Sequence, residues 1–151
     1  MQAHNEEAIK QLNDLIEYCK DGQHGYKTAA EDVDNNQLKS TFQNFAQQRE
    51  QFVSELKNEV RNLGGDPDKH GSATGALHRT WIDIKSVVAG GDAKAILAEC
   101  DRGDSAAEKA YDEALRANLP SSALSVVRKQ HDEVRGARNQ IRSLSDTIGN
   151  K

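Results

Sequence analysis

Proline is almost missing from this chain, with two residues in 151, at positions 67 and 120. Because proline removes a backbone donor and breaks helices, the long stretches without it are free to run as helix. Cysteine is equally scarce. Cys19 and Cys100 are too few for a disulfide framework, and they read most simply as buried thiols of a reducing compartment. No apolar run approaches the roughly 20 residues of a membrane span. The N-terminal "MQAHNEEAIK" has no hydrophobic segment of a signal peptide. The expectation is a cytoplasmic protein with no membrane partner.

A basic excess is also lacking. The net charge is -4 and the pI about 5.7, which argues against a general polyanion binder, so nucleic acid is not an expected partner. Charge is nevertheless uneven. Residues 120–151 hold six Lys/Arg against three Asp/Glu, leaving 14 against 21 for the remainder. Arg128, Arg135, Arg138 and Arg142 fall near one helical face, either as a stripe paired with acidic neighbours or as a surface for a partner. No phosphate loop, dinucleotide fingerprint or Ser/His/Asp pattern is found, and "GGD" occurs only where helices stop.

What the chain does contain is helix-forming. Hydrophobic residues are 36%, charged residues 29% and aromatic residues 5%, with a mean hydropathy of -0.81. These values fit one all-α domain over 1–151 with a real core and much solvated surface. Ile9, Leu12, Ile16, Cys19, Gln23, Tyr26, Ala30 and Val33 repeat at three- and four-residue steps, laying one stripe along a helix. A second stripe follows from Leu38 through Phe42, Phe45, Arg49, Phe52, Leu56 and Val60 to Leu63. The short turn between them makes an antiparallel hairpin over about 4–63. Pro67 and several glycines then mark a crossover, 64–91, with a short amphipathic helix from about Ala76 to Val88. Asp92 is a plausible N-cap for a third stripe with Ile96, Cys100, Gly103 or Asp104, Ala107 and Tyr111. A fourth carries Leu124, Val127, Gln130 or His131, Val134 and Ile141. The second hairpin covers about 92–148.

The two hairpins repeat one another at an offset of 81. Cys19 and Gly22 correspond to Cys100 and Gly103, Val53 to Val134, and Val60 to Ile141. Two hairpins joined by a connector long enough to cross the bundle give the ferritin-like arrangement, a four-helix bundle with one long crossover. Gly22 and Gly103, which disfavour a helix interior by about 1 kcal/mol each relative to alanine, are then expected where the first and third helices approach closely.

The segments "LNDLIEYCKDG", "LGGDPDKHGS", "GALHRTWIDIKS", "GGDAKAILAECDRGD" and "AYDEAL" resemble an uncharacterised bacterial family of ferritin-like four-helix-bundle proteins, a domain of unknown function. The resemblance covers nearly the whole chain. It implies a ferritin-like fold with a helical crossover and supplies no established reaction.

Di-iron bundles place a Glu on each of two helices and a Glu-x-x-His on each of the other two. The residues three before the five histidines are Met1, Asp21, Pro67, Gly75 and Arg128, so the motif does not occur. The mid-height layer is instead expected to hold Cys19, Gln23, Arg49, Cys100, Asp104, and Gln130 or His131. An arginine cannot ligate and repels a dication, so an ion pair of Arg49 with Asp104 is expected in place of a metal, with no cofactor and no catalytic residue. Cys19, Asp21 and His24 look rich in ligands, but steps of two and five residues turn about 200° and 500° around a helix, and the side chains diverge.

The reading is a non-catalytic bundle with a structural, stress-associated or protein-interaction role, self-associating or binding a protein. One alternative is a metal-binding or thiol-redox protein using Cys19, Cys100, His131 and nearby carboxylates. Another is a helical module that meets partners through His78 and Trp81 of the crossover and through Arg135, Arg138 and Arg142.

Overall fold

The computed structural model describes residues 2–67, 81 and 83–149. Among them are five helices and no strand: α1 Gln2–Asp32, α2 Asn36–Asn62, α3 Ile84–Gly90, α4 Ala93–Arg116 and α5 Ser121–Gly149. Several boundaries have a local cause. Asn35 Oδ1 accepts the Leu38 amide at 3.1 Å to start α2, and Asp92 Oδ1 accepts the Lys94 amide at 3.0 Å to start α4. These side chains satisfy amides that the first helical turn leaves without partners. Gly64 and Gly91 follow α2 and α3 at φ 83° and 73°, a left-handed conformation that glycine adopts without a Cβ penalty. The α5 helix begins directly after Pro120, whose carbonyl accepts the Leu124 amide at 2.8 Å.

The four long helices form a ring of contacts in which α1 touches α2 and α4, and α5 touches α4 and α2. Polar contacts give the directions. Cys19 meets Tyr111 while Tyr26 meets Asp104, so numbers rise along α1 as they fall along α4, and the two run antiparallel. Gln23 against Glu50 and Asn13 against the carbonyl of Asp66 establish the same for α1 and α2. The end of α2 therefore lies beside the start of α1, where Gly65 is packed on Ile9. The start of α4 lies at the other end of the bundle. The segment between must travel the bundle's length, and α3 lies on α1 and α4 as it does so.

Two apolar clusters fill the interior. One joins Tyr26, Phe42, Phe45, Trp81, Ile84, Val88, Ile96, Leu97 and Cys100 toward the α3 end. The other joins Leu12, Ile16, Cys19, Phe52, Leu56, Tyr111 and Val127 toward the opposite end. Where the two meet, the interior is polar.

Two expectations about the crossover and the glycines change. Of the helix expected from about Ala76 to Val88, residues 76–80, His78 among them, lie outside the described residues; Trp81 and Asp83 are in turns, and a helix runs Ile84–Gly90. Trp81 is not a partner surface: it is 5% exposed and packs edge-on against Tyr26, ring centroids 5.0 Å apart. Nor do Gly22 and Gly103 serve a direct approach of α1 to α4. A Cβ on Gly103 would stand 2.4 Å from the Trp81 indole and one on Gly25 2.3 Å from it, whereas a Cβ on Gly22 would meet the Arg49 guanidinium at 3.2 Å. The glycines cut notches for side chains, and Trp81 is wedged between α1 and α4 through two of them.

Candidate functional site: the central polar layer

Arg49 from α2 and Asp104 from α4 meet on the bundle axis. Nη1 donates to Oδ1 at 2.5 Å and Nη2 to Oδ2 at 3.0 Å, the two-pronged geometry that suits guanidinium and carboxylate. Arg49 is 1% exposed and Asp104 0%. The Tyr26 hydroxyl also donates to Asp104 Oδ2, so both carboxylate oxygens are taken. Arg49 Nε donates to Gln48 Oε1 at 3.1 Å, and the guanidinium carbon lies 5.3 Å from the Tyr26 ring centroid and 5.9 Å from that of Phe52. Ring faces of this kind attract a cation that has left water. Burial alone pulls the Arg49 pKa down; the charge and hydrogen bonds of Asp104 outweigh it, and the net shift is upward. The arginine is therefore a fixed cation. Burial, with the nearby charge of Asp104, also raises the Tyr26 pKa well above its ordinary 10.0, so this phenol stays a donor.

A second network lies about two helical turns further along the interior. The Tyr111 hydroxyl donates to Gln130 Oε1 at 2.7 Å, and Gln130 Nε2 donates to Glu55 Oε1 at 2.9 Å and to the Phe52 carbonyl at 3.4 Å. Cys19 Sγ lies 3.1 Å from the Tyr111 oxygen. Since a phenol has one hydrogen and Gln130 takes it, the thiol is the donor of that contact. Burial raises the Cys19 pKa from 9.0 to about 11, although the Arg49 charge acts the other way. Burial likewise lifts Cys100 well above its ordinary value. Thiols held in the protonated form are poor nucleophiles.

The structure thus brings Arg49, Asp104, Cys19 and Gln130 into these two networks and leaves other named residues outside them. Gln23 sits at the rim, donating to Glu50 at 3.4 Å. Cys100 belongs to the Trp81 cluster. Cys19 is level with Tyr111 on α4, eleven residues from Cys100, which separates the two along the bundle by roughly 16 Å at 1.5 Å per residue. A disulfide needs Cα atoms within about 7 Å, so the expected alternative of a cysteine pair does not fit. His131 is on the α4–α5 seam with Nε2 2.8 Å from Asp112 Oδ1.

Three of the α5 arginines are engaged within the chain. Arg138 donates to Asp101 at 2.9 Å and to Glu108 at 3.0 Å, Arg142 lies 3.4 Å from Asp101 and Arg135 3.9 Å from Glu108. Arg135 and Arg142 remain half-exposed, but Arg138 is largely buried. Pairing with acidic neighbours accounts for Arg135, Arg138 and Arg142, and Arg138 is not available as a partner surface.

Sequence reasoning missed Tyr26, Tyr111 and Glu55. Both tyrosines fall on apolar stripes, where their rings do lie, and the stripe pattern does not show what their hydroxyls meet. Nothing in that pattern marks Glu55.

The layer does not fit a di-iron centre. Asp104 is the buried carboxylate at this height, with both oxygens occupied, and its partner is a cation that cannot ligate. The arrangement can hold four helices in register.

These features define an all-helical protein: four long helices joined by a crossover that packs on two of them, with a sealed polar centre. The chain belongs to the family described as a domain of unknown function, DUF2383, whose model matches residues 7–117. That match takes in α2 and α3 whole, most of α1, and α4 to its end; it is shorter than the near-complete resemblance expected from the motifs, leaving α5 outside. No curated protein matches the chain. No helix among the described residues is long and apolar enough to cross a membrane.

Proposed function

We propose that this protein is a non-catalytic, ferritin-like four-helix bundle of the bacterial cytoplasm, with a structural, stress-associated or protein-interaction role that it performs by self-association or by binding a protein. The ferritin-like assignment draws support from the antiparallel course of α1 and α4, which one long crossover requires. The observation that carries the functional reading is the buried Arg49–Asp104 pair with its Tyr26 donor. It stands where carboxylate bundles gather their ligands, and it turns that volume into a fixed helix-to-helix tie.

The test is iron loading under anaerobic conditions followed by air, in the His131→Ala variant so that the histidine at the rim contributes nothing. The expected result is no near-ultraviolet absorbance of an oxo-bridged di-iron centre and no iron retained after desalting. Two retained irons per chain with that absorbance would overturn the reading. Sedimentation analysis with and without cell extract then separates self-association from capture of another protein.

A further inference from the structure

The α4–α5 seam carries a group of side chains that the central layer does not use. Glu108 and Asp112 are four residues apart on α4 and therefore share a face. His131 reaches them from α5. One ligand atom from each of the three lies within 4.8 Å of the other two, and this is a mixed histidine and carboxylate set rather than an acidic patch. His131 is 5% exposed, so its ring is fixed in the seam with Nε2 aimed at the carboxylates. Asp112 is 44% exposed, which leaves an entry path and room for water on the outer side.

We propose that Glu108, Asp112 and His131 form a zinc site that staples α4 to α5. Ligands about 2.0–2.2 Å from a tetrahedral zinc stand roughly 3.3–3.6 Å from one another. The 2.8 Å separation of His131 from Asp112 and the 4.8 Å limit of the whole set bracket that value, so binding asks for small side-chain shifts. One imidazole nitrogen among carboxylates selects zinc-like transition dications over magnesium or calcium, which prefer all-oxygen shells. On the far side of the ring, Asp132 Oδ1 lies 4.0 Å from His131 Nδ1, too long for a hydrogen bond, so it would have to close on the ring to orient a metal-bound histidine. Two cations compete with the ion. Arg138 holds Glu108 Oε1 at 3.0 Å, and Arg135 lies 3.9 Å from Oε2; Arg138 has a second anchor in Asp101, so Arg135 is the one that can be removed without loosening the seam. The site joins the family-matched part of the chain to α5. It is separate from the bundle centre and is independent of the function proposed above.

The experiment is zinc titration of the full chain by calorimetry, with magnesium as the comparison and thermal melting as a second readout. One zinc per chain is expected, with a raised melting temperature and no comparable response to magnesium. Asp112→Asn, a change on the surface that preserves shape, should weaken binding at least tenfold, and His131→Ala should abolish it. Arg135→Gln should tighten binding severalfold by removing the competitor. Absence of saturable binding at one ion per chain overturns the proposal, as does zinc binding that Asp112→Asn and His131→Ala leave unchanged. Failure here would not touch the central reading, whose iron test is made without His131.

Discussion

Corresponding positions of the two hairpins, 81 residues apart, hold similar residues and use them differently. Gly22 makes room for the Arg49 guanidinium, while Gly103 makes room for Trp81. Cys19 donates to Tyr111, and Cys100 lies in the apolar cluster around Trp81. Arg49 is a buried cation where the second hairpin has the neutral, buried Gln130; Asp104 is its buried anion where the first hairpin has Gln23 at the rim. The repeat determines where small and polar residues fall. The crossover occurs once and packs on α1 and α4, so it makes the two uses unequal. The buried pair takes its cation from one hairpin and its anion from the other, tying the halves together.

Breaking that tie should have the largest effect. Asp104→Leu leaves Arg49 buried without its anion, a loss of roughly 3–5 kcal/mol, to be read from urea unfolding. Next come the notches around Trp81. Gly25→Ala and Gly103→Ala place a Cβ within 2.3–2.4 Å of the indole, and overpacking of this kind destabilises by about 1–3 kcal/mol. Gly22→Ala should cost less, because the 3.2 Å contact is with a guanidinium nitrogen. If Gly22→Ala proved the more damaging, the assignment of the notches would be wrong. Gly136 lies within α5 with open space around it, so Gly136→Ala should instead stabilise by up to about 1 kcal/mol.

A smaller effect separates the two thiols from ordinary surface cysteines. The Cys19 proton is lost in the unfolded chain near pH 9.0 but held in the fold to about 11. The folded pKa is the higher one, so this group's contribution is complete below pH 9 and falls as pH rises toward 11. Cys19→Ala should flatten that part of the stability profile. Labelling at pH 8 should be slow for both thiols until the chain unfolds; rapid labelling of the native protein would contradict the buried network.

The long helices were legible because their apolar stripes persist for six turns or more, and their ends carry capping residues such as Asp92 and turn residues such as Asn35 and Gly64. Arg49 and Asp104 were legible for a related reason: charges placed on an apolar stripe must find each other. Trp81 was not, because its burial depends on the notches at Gly25 and Gly103, which come from two helices and which no periodicity links. Tyr26 and Tyr111 hid behind the same ambiguity. A tyrosine ring belongs on an apolar stripe whether or not its hydroxyl anchors a network. The Glu108, Asp112 and His131 group escaped because it forms between neighbouring helices, at positions flanking the stripes.

Arg49 and Asp104 act as one unit at the bundle centre, and a double-mutant cycle measures that coupling. Arg49→Met, Asp104→Leu and the double variant would be compared by urea unfolding. The expected result is that each single change costs about 3–5 kcal/mol while the double costs no more than either one, because the orphaned charge is gone. Additive costs, agreeing within about 0.5 kcal/mol, would contradict the claim.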